Sequence, residues 1–206
     1  MDTKKLLDKF YKQSLPDKVL WDKEPPIFLE KVLDSGQVPI GKALDLGTGT
    51  GSKAIQLAKR GFDVTAVDIS ETAISYAKEQ AQKEKVEINF IVADVTDLSI
   101  LGNQKFDLIL DWACLHHIQQ AKQKKYISGV KNFCKSGDYL ILRCFSKYKM
   151  SPGEIGFLTP FGPIYLFSLE DITALYGDAF EIIESSRCRR HVHSYRWFEE
   201  VLMRRK

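Results

Sequence analysis

The sequence has no long hydrophobic run, no C-x-x-C pair and no internal repeat. None of its 206 residues falls in an apolar stretch of the roughly 18 residues needed to cross a membrane, and residues 1–7 lack the apolar segment of a signal peptide. The cysteines stand alone at Cys114, Cys134, Cys144 and Cys188. Isolated cysteines disfavour a disulfide framework or a zinc site. These absences predict a cytoplasmic protein with reduced thiols and no membrane span.

The chain also has little excess of either charge, with a formal net charge of +3. Its basic residues are nevertheless concentrated towards the C-terminus, at Arg187, Arg189, Arg190, His191, His193, Arg196, Arg204, Arg205 and Lys206. Such a cluster can bind a phosphate backbone, but it can equally protect the solvated edge of a sheet. Nucleic acid is therefore a possible partner that the charge alone does not favour.

Length and residue pattern predict one α/β domain. With 206 residues and 44% hydrophobic content, the chain can bury a full core. From residue 42 onwards strand patterns alternate with helical ones, which predicts a parallel sheet with right-handed crossovers. Strands are expected at 42–46, 64–69, 88–92, 106–110, 139–145, 180–189 and 195–205. Helices are expected at 2–13, 27–33, 52–60, 70–85, 121–133 and 169–176.

The most informative motif follows the first strand. Gly47, Gly49 and Gly51 alternate between this strand and a helix, and Asp68 closes the next strand about twenty residues later. Alternating glycines let a ligand lie against bare backbone, and a carboxylate at that strand end can accept both hydroxyls of a ribose. The order of these elements predicts a site for a nucleoside-containing cofactor.

The glycine spacing and Asp45 narrow the choice of cofactor. Dinucleotide sites usually read G-x-G-x-x-G and place a pyrophosphate at the helix N-terminus. Here the glycines read G-x-G-x-G, and Asp45 lies just upstream, where a carboxylate repels a pyrophosphate and suits an amine. A nicotinamide-dependent oxidoreductase is thus the disfavoured alternative.

Residues 42–51 resemble the first motif of class I S-adenosylmethionine-dependent methyltransferases. The resemblance is specific over residues 42–145 and extends loosely to residue 206. It implies a Rossmann-like three-layer sandwich whose seven-stranded sheet is mostly parallel with an antiparallel last strand, together with N-terminal helices. It also implies S-adenosylmethionine as cofactor, with the methionyl end beside Asp45 and Gly47, the ribose on Asp68 and the adenine amino group on Asp94. The cofactor-binding residues expected on this basis are Asp45, Gly47, Thr48, Gly49, Gly51, Asp68, Ile69, Asp94, Val95 and Asp111.

Titratable and aromatic side chains also follow the fourth strand. Such residues at the end of a central strand are placed for chemistry rather than packing. The Asp-x-x-Cys-x-His-His pattern that begins at Asp111 looks like that of methyltransferases acting on small molecules. It differs from the Asn/Asp-Pro-Pro-aromatic tetrad of enzymes that methylate exocyclic amines of nucleic-acid bases, which argues against that substrate.

His116 and His117 are the candidate catalytic residues in this segment, because imidazole titrates near neutral pH and can take a proton from the acceptor. Neighbouring side chains diverge, so one of the two is expected to face the cleft, and a packing role is the alternative for either. Cys114 can act as a thiol nucleophile, but a small buried hydrophobe is the favoured interpretation. A metal on Asp111 and His116 lacks an obvious third ligand, so no metal is expected.

Four segments are expected within the domain: a helical lid at 1–36, the cofactor core at 42–145, an irregular substrate loop at 146–167, and a helix and hairpin at 168–206. Candidate acceptor-binding residues are Tyr11, Trp21, Trp112, Arg143, Phe157 and Phe161. Three alternatives stay open: Trp21 can instead staple the lid to the core, the loop can plug the core, and Arg143 can pair with an acid on a neighbouring strand.

The sequence therefore predicts a methyltransferase that moves a methyl group by in-line displacement to a small-molecule acceptor. The alternatives are an RNA or protein methyltransferase that uses the basic C-terminus, and a non-catalytic module that binds the cofactor without turnover.

Overall fold

A computed structural model describes residues 3–15, 19, 25–151, 153–159, 162–189 and 196–206. Two of the candidate acceptor-binding residues, Trp21 and Phe161, lie outside the described residues. The same is true of Arg190, His191 and His193 in the basic C-terminal cluster.

The described helices and strands follow the expected alternation. The α-helices are α1 Thr3–Ser14, α2 Ile27–Asp34, α3 Ser52–Lys59, α4 Glu71–Lys83, α5 Gln120–Phe133 and α6 Leu169–Tyr176. The strands are β1 Lys42–Leu46, β2 Asp63–Asp68, β3 Asn89–Val92, β4 Leu108–Trp112, β5 Tyr139–Phe145, β6 Gly156–Thr159, β7 Gly162–Tyr165, β8 Phe180–Arg189 and β9 Trp197–Arg205. Short 3-10 helices lie at Ser99–Leu101 and Leu115–His117.

The main sheet has seven strands in the order β3-β2-β1-β4-β5-β9-β8. The pairs on the β3 to β5 side are parallel, whereas β9 runs antiparallel to both β5 and β8. This arrangement confirms the Rossmann-like sheet with an antiparallel last strand. Because β1 and β4 are central, their carboxyl ends meet at the rim where ligands bind in such sheets.

Helices cover both faces of this sheet. One core cluster joins Leu44 and Leu46 to residues of α5 and α6, and the other joins Ala43 to residues of α2 and α3. Alternate residues of β1 thus enter opposite clusters, as the two-residue period of a strand requires. Since both faces are covered, β1, β2 and β4 are buried along almost their whole length.

Two helices begin with a serine that caps the first turn. Ser70 precedes α4, and its hydroxyl accepts a hydrogen bond from the Ala73 N–H at 3.2 Å. Ser168 and Asp171 form a capping box at the start of α6, where each side chain accepts from the backbone N–H of the other. Both devices satisfy N–H groups that have no partner within the helix.

The expectation of an irregular loop at 146–167 is wrong in part. Residues 156–165 contain a small antiparallel hairpin of β6 and β7. Its strands approach so closely that a Cβ at Gly156 would lie 2.0 Å from the Ile164 carbonyl oxygen. In the sequence, Gly156, Gly162 and Pro163 indicate a loop. In the structure they belong to these two paired strands.

The fourth strand lies two residues further along than expected. It spans Leu108–Trp112 rather than 106–110, because Phe106 packs against Phe133 and the Asp107 carboxylate accepts from the Lys42 N–H at 2.7 Å. At the other end, Trp112 stays in register with Arg143 of β5. The shift places Asp111 and Trp112 inside the strand.

In the part of the chain that the structure describes, no helix is long and apolar enough to cross a membrane.

We expect Gly51→Ala to destabilise the protein by about 1–3 kcal/mol, because Gly51 has φ +80° and an added Cβ would lie 2.8 Å from the Ala77 Cβ. Gly129→Ala, in α5, is the matched control. No heavy atom lies within 4 Å of its added Cβ, so we expect a gain of about 0.5–1 kcal/mol from helix propensity. Urea unfolding measures both. Equal effects of the two substitutions would contradict the packing role of Gly51.

Candidate active site

One cavity of about 740 Å³ lies at the carboxyl ends of the central strands. The predicted site residues that line it are Tyr11, Gly47, Thr48, Gly49, Asp68, Ile69, Asp94, Val95, Trp112, His116, His117, Arg143 and Phe157. Three other predicted residues, Asp45, Gly51 and Asp111, are not in its lining. The structure therefore brings most of the predicted residues to one place and puts those three behind the wall.

The glycine turn is fixed to the end of β2. The N–H groups of Gly47 and Thr48 donate to the Val67 carbonyl at 2.8 and 3.0 Å. The Asp68 carboxylate accepts from the Gly49 N–H at 2.8 Å and from the Ser70 N–H at 2.9 Å. Asp68 is buried, and this burial raises its pKa although the backbone hydrogen bonds oppose the shift. One carboxylate thus holds the turn and the start of α4 together.

Helix α1 covers this end of the cavity. Asp8 accepts hydrogen bonds from the Ser70 hydroxyl at 2.5 Å and from the Thr72 N–H at 3.2 Å, which docks the helix on the start of α4. Tyr11 is buried, and a Cβ added to Gly49 would lie 2.8 Å from its hydroxyl oxygen. Helix α1 of the expected lid therefore lies directly over the glycine turn, whereas α2, also within 1–36, packs in the core with α3.

Asp45 lies behind the turn, where it is 2% exposed. Its Oδ2 accepts from the Thr48 hydroxyl at 2.6 Å. Burial raises the pKa of Asp45 to about 7, although the Thr48 hydrogen bond and the charge of Lys53 oppose the shift. A cation brought close to this carboxyl group would favour its ionised form.

Asp94 stands on the opposite wall and is more exposed. Its Oδ1 accepts from the N–H and the hydroxyl of Thr96 at 2.8 and 2.7 Å, and Lys122 Nζ lies 3.1 Å from its Oδ2. Burial acts to raise the pKa of Asp94, but these bonds outweigh it and lower the pKa. The Thr96 hydrogen bonds and Lys122 therefore favour the ionised form of Asp94.

Asp111 supports the floor of the cavity from below. Its carboxylate accepts from the N–H groups of Cys114 and Leu115 at 2.7 and 3.1 Å, and from the Tyr126 hydroxyl at 2.8 Å. Burial raises the pKa of Asp111 to about 6 despite these bonds. The same turn holds Ala113 at φ +79°, an uncommon conformation for a residue with a Cβ. The tyrosine comes from α5, and no local sequence signal indicates its role.

The two histidines have different environments. His116 is 1% exposed, and its Nδ1 accepts from the Phe145 N–H at 3.2 Å, so the neutral ring carries its proton on Nε2. Burial, with added effects of His117 and Arg143, lowers the pKa of His116 well below its usual value. His117 remains open to the cavity, yet the protein around the cavity lowers its pKa to about 4 by desolvation. Both rings are neutral at neutral pH, and His117 is the accessible one.

Arg143 both lines the cavity and pairs with an acid. Its Nε lies 3.2 Å from Oε1 of Glu200, its register partner on β9, and both side chains are less than a tenth exposed. The guanidinium carbon lies 3.9 Å from the Phe198 ring centroid and 5.1 Å from that of Trp112. The neighbouring-strand pairing that the sequence left open is therefore present, within an aromatic wall.

Three further residues of the cavity wall carry no recognisable sequence signal. Phe145 and Phe198 stack with ring centroids 4.4 Å apart, and the guanidinium carbon of Arg196 lies 4.1 Å from the Phe157 centroid. Phe198 reaches the site because the antiparallel β9 places it opposite Phe145. Strand order, which local pattern does not encode, brings these residues together.

The described residues contain no group of three His, Cys, Asp or Glu side chains placed to hold a metal ion. Cys114 is buried beside Gly47, where a Cβ on the glycine would lie 2.8 Å from its sulfur. Burial raises the pKa of this thiol well above its usual value, and the nearby charge of Asp111 adds to the effect. An uncharged, buried thiol packs as a small hydrophobe, because the thiolate is the nucleophilic form.

Comparison with known proteins agrees with this geometry. Residues 43–137 match the family model described as a methyltransferase domain. An uncharacterized methyltransferase of Schizosaccharomyces pombe is 33% identical over 118 residues, which are 55% of this chain and 81% of that protein. The probable S-adenosyl-L-methionine-dependent methyltransferase TehB of Haemophilus influenzae is 25% identical over 152 residues, 74% of this chain and 50% of that protein.

Solved structures share the fold over nearly the whole chain. The 1,6-didemethyltoxoflavin-N1-methyltransferase of Burkholderia thailandensis matches with a TM-score of 0.78 at 20% identity, over 98% of this chain and 87% of that one. The N-methyltransferase NodS of Bradyrhizobium japonicum matches with a TM-score of 0.75 at 16% identity, over 100% and 99% of the two chains. At these identities the likeness shows the fold.

The strand order and the solved neighbours define the Rossmann-like methyltransferase fold. With the sequence relatives, they show that the chain belongs to the class I S-adenosylmethionine-dependent methyltransferases. The membership expected from residues 42–51 is thereby confirmed, and so is the cofactor.

We expect Asp45→Asn to flatten the pH dependence of stability. The folded protein, with the pKa of Asp45 near 7, binds more protons than the unfolded chain, whose value is 3.8. This contribution to stability is therefore complete below pH 3.8 and is lost as the pH rises through about 7. Its full size is about 4 kcal/mol, because a pKa difference of one corresponds to about 1.4 kcal/mol.

Urea unfolding of the two proteins at pH 4 and pH 8 measures this difference. Asp68 and Asp111 titrate in both, so their contributions largely cancel in the comparison. Parallel stability curves for the wild-type protein and Asp45→Asn would contradict the raised pKa.

Proposed function

We propose that this methyltransferase acts on a small molecule held at the aromatic end of the cavity. The supporting observation is that one cavity joins the glycine turn, Asp68 and Asp94 to a wall built from Trp112 and Phe198. A space of this size suits a small ligand beside a cofactor. Among the solved neighbours, the Burkholderia protein is described with bound 1,6-didemethyltoxoflavin and S-adenosylhomocysteine, and NodS with S-adenosylhomocysteine.

The residues of the turn fit S-adenosylmethionine. Bare backbone at Gly47 and Gly49 faces the cavity, where a Cβ would collide with Cys114 and Tyr11. Asp68 and Asp94 offer carboxylate oxygens for ribose hydroxyls and an adenine amino group. Asp45 is buried behind the turn and does not line the cavity, so it can favour an ammonium only through its charge. Thr48, Ile69 and Val95 complete this proposed cofactor wall. When bound, the cofactor supplies an electrophilic methyl group on a sulfonium.

The chain itself has to orient the acceptor, exclude water and take up a proton where the acceptor carries one. Helix α1 and the β6–β7 hairpin both contribute side chains to the cavity wall and limit access of water. His117 is our candidate for the proton, since its ring is open and neutral. His116 is assigned a positioning role, because its Nδ1 accepts a hydrogen bond from the Phe145 N–H at the end of β5.

The proposal is tested by following transfer of labelled methyl groups from S-adenosylmethionine to a panel of small molecules, a bulk RNA sample and a bulk protein sample. We expect labelled products among the small molecules. Label in the RNA or protein alone would contradict the proposal. Calorimetric titration with S-adenosylhomocysteine, beside NADH as a control, reports cofactor binding separately from transfer.

We expect His117→Ala to slow transfer by about 100-fold or more if His117 removes the proton, with the affinity for S-adenosylhomocysteine unchanged. The wild-type turnover rate with saturating cofactor is expected to stay flat from pH 6 to pH 8, because a base with a pKa of about 4 is unprotonated throughout. Added imidazole is expected to restore part of the rate of the variant. A full rate in His117→Ala would contradict this assignment, whereas a titration near pH 6.5 that the variant loses would keep the assignment and contradict the lowered pKa.

A further inference from the structure

The acceptor end of the cavity is built from flat groups. Phe145 and Phe198 stack at 4.4 Å with their planes 26° apart, and Phe157 meets Phe145 edge-on at 5.5 Å. The guanidinium groups of Arg143 and Arg196 lie over the rings of Phe198 and Phe157. A guanidinium group stacks on an aromatic face, so a flat aromatic ligand fits against these two groups.

The two arginines differ in how their charges are balanced. Arg143 and Glu200 form a buried pair, with side chains 8% and 6% exposed. Arg196 and Glu154 are each 31% exposed, and Nη1 of the arginine lies 3.6 Å from Oε1 of the glutamate. That separation is longer than a hydrogen bond, so Glu154 balances the charge loosely.

The remaining polar contact of Arg196 is also a weak one. Its Nη1 lies 3.3 Å from the sulfur of Met150, and a thioether is a poor acceptor. A guanidinium carries five N–H donors in a planar fork that matches a carboxylate or a similar anion. A ligand anion in the cavity therefore offers Arg196 a better partner than the described protein groups do.

We propose that the methyl acceptor is a flat aromatic molecule with an anionic substituent, that Arg196 binds this substituent, and that Glu154 competes for the same guanidinium. This inference rests on the proposed function and names the acceptor class of that site. Phe157 carries Arg196 on its face and thereby positions the guanidinium group.

The same geometry disfavours a cationic acceptor. An aromatic cage binds a cation through the faces of its rings. Here the faces of Phe198 and Phe157 already carry the protein's own cations, Arg143 and Arg196. A further positive charge would be repelled most by Arg196, because Glu154 balances its charge only loosely. The neutral rings of His116 and His117 add no charge at this aromatic end of the cavity, where Arg143 and Arg196 lie over the rings.

Three probes separate shape from charge. They are 2-naphthoate, which is flat and anionic, 2-naphthamide, which is flat and neutral, and decalin-2-carboxylate, which is anionic and saturated. Each is titrated by calorimetry into the protein saturated with S-adenosylhomocysteine. We expect 2-naphthoate to bind at least about tenfold more tightly than the amide, and about three- to tenfold more tightly than the saturated acid.

Substitutions then assign the anion to its partner. In Arg196→Gln we expect the preference for 2-naphthoate over 2-naphthamide to disappear, with the affinity for the amide unchanged. In Glu154→Gln we expect 2-naphthoate to bind about two- to fivefold more tightly, because the competing carboxylate is gone. Arg204→Gln is the matched control, since its guanidinium lies 6.0 Å from the Tyr139 centroid and outside the cavity lining. We expect that variant to keep the full preference.

Equal binding of naphthoate and naphthamide would overturn the proposal, as would a preference that survives in Arg196→Gln or no binding of any probe. The proposed function is judged by different readouts, S-adenosylhomocysteine binding and methyl transfer to the wider small-molecule panel. If the protein methylates other small molecules but does not bind 2-naphthoate, the proposed function stands and the proposed acceptor class is rejected. If the protein transfers no methyl group to any small molecule, the proposed function itself is rejected.

Discussion

The carboxylate of Asp68 is the contact on which the rest of the site depends. One oxygen accepts from the Gly49 N–H of the glycine turn, and the other accepts from the Ser70 N–H at the start of α4. Ser70 in turn donates to Asp8 on α1, so the turn, the second crossover helix and the helix above the cavity are tied through one short chain of hydrogen bonds. Because these groups are buried or half-buried, water competes weakly for them. A change at Asp68 therefore alters the cavity wall as well as any contact with a ligand.

The other end of the cavity depends on the sheet rather than on one residue. The parallel strands β4 and β5 bring Trp112 and Arg143 to a common rim, and the antiparallel β9 adds Phe198 beside Phe145. Arginine, aromatic ring and buried acid then form one continuous wall. A parallel last strand would present its other end at this rim. The antiparallel insertion is thus what gives the proposed acceptor site its aromatic and cationic character.

Sequence reasoning was strongest where chemistry and backbone conformation are local. The turn at Gly47 to Gly51 needs left-handed backbone, and Asp68 ends a strand at a fixed distance along the chain, so both were predictable. It was weaker for Asp45 and Asp111, whose positions behind the cavity wall follow from which way each side chain points. It missed Phe198, which reaches the cavity through pairing between β5 and β9, and Arg196, which directly precedes β9. The hairpin of β6 and β7 was also missed, because its glycines resemble loop signals.

The sequence by itself determined the family, the cofactor and the alternation of strands and helices, since these depend on short-range patterns of glycine, acid and apolar residues. Only the tertiary structure decided which histidine is accessible and which arginine is loosely paired. His116 and His117 are neighbours in the chain, and their difference arises from a backbone N–H of a distant strand. Whether a charged side chain is buried or paired depends on groups far apart in sequence. It therefore could not be predicted from local sequence patterns.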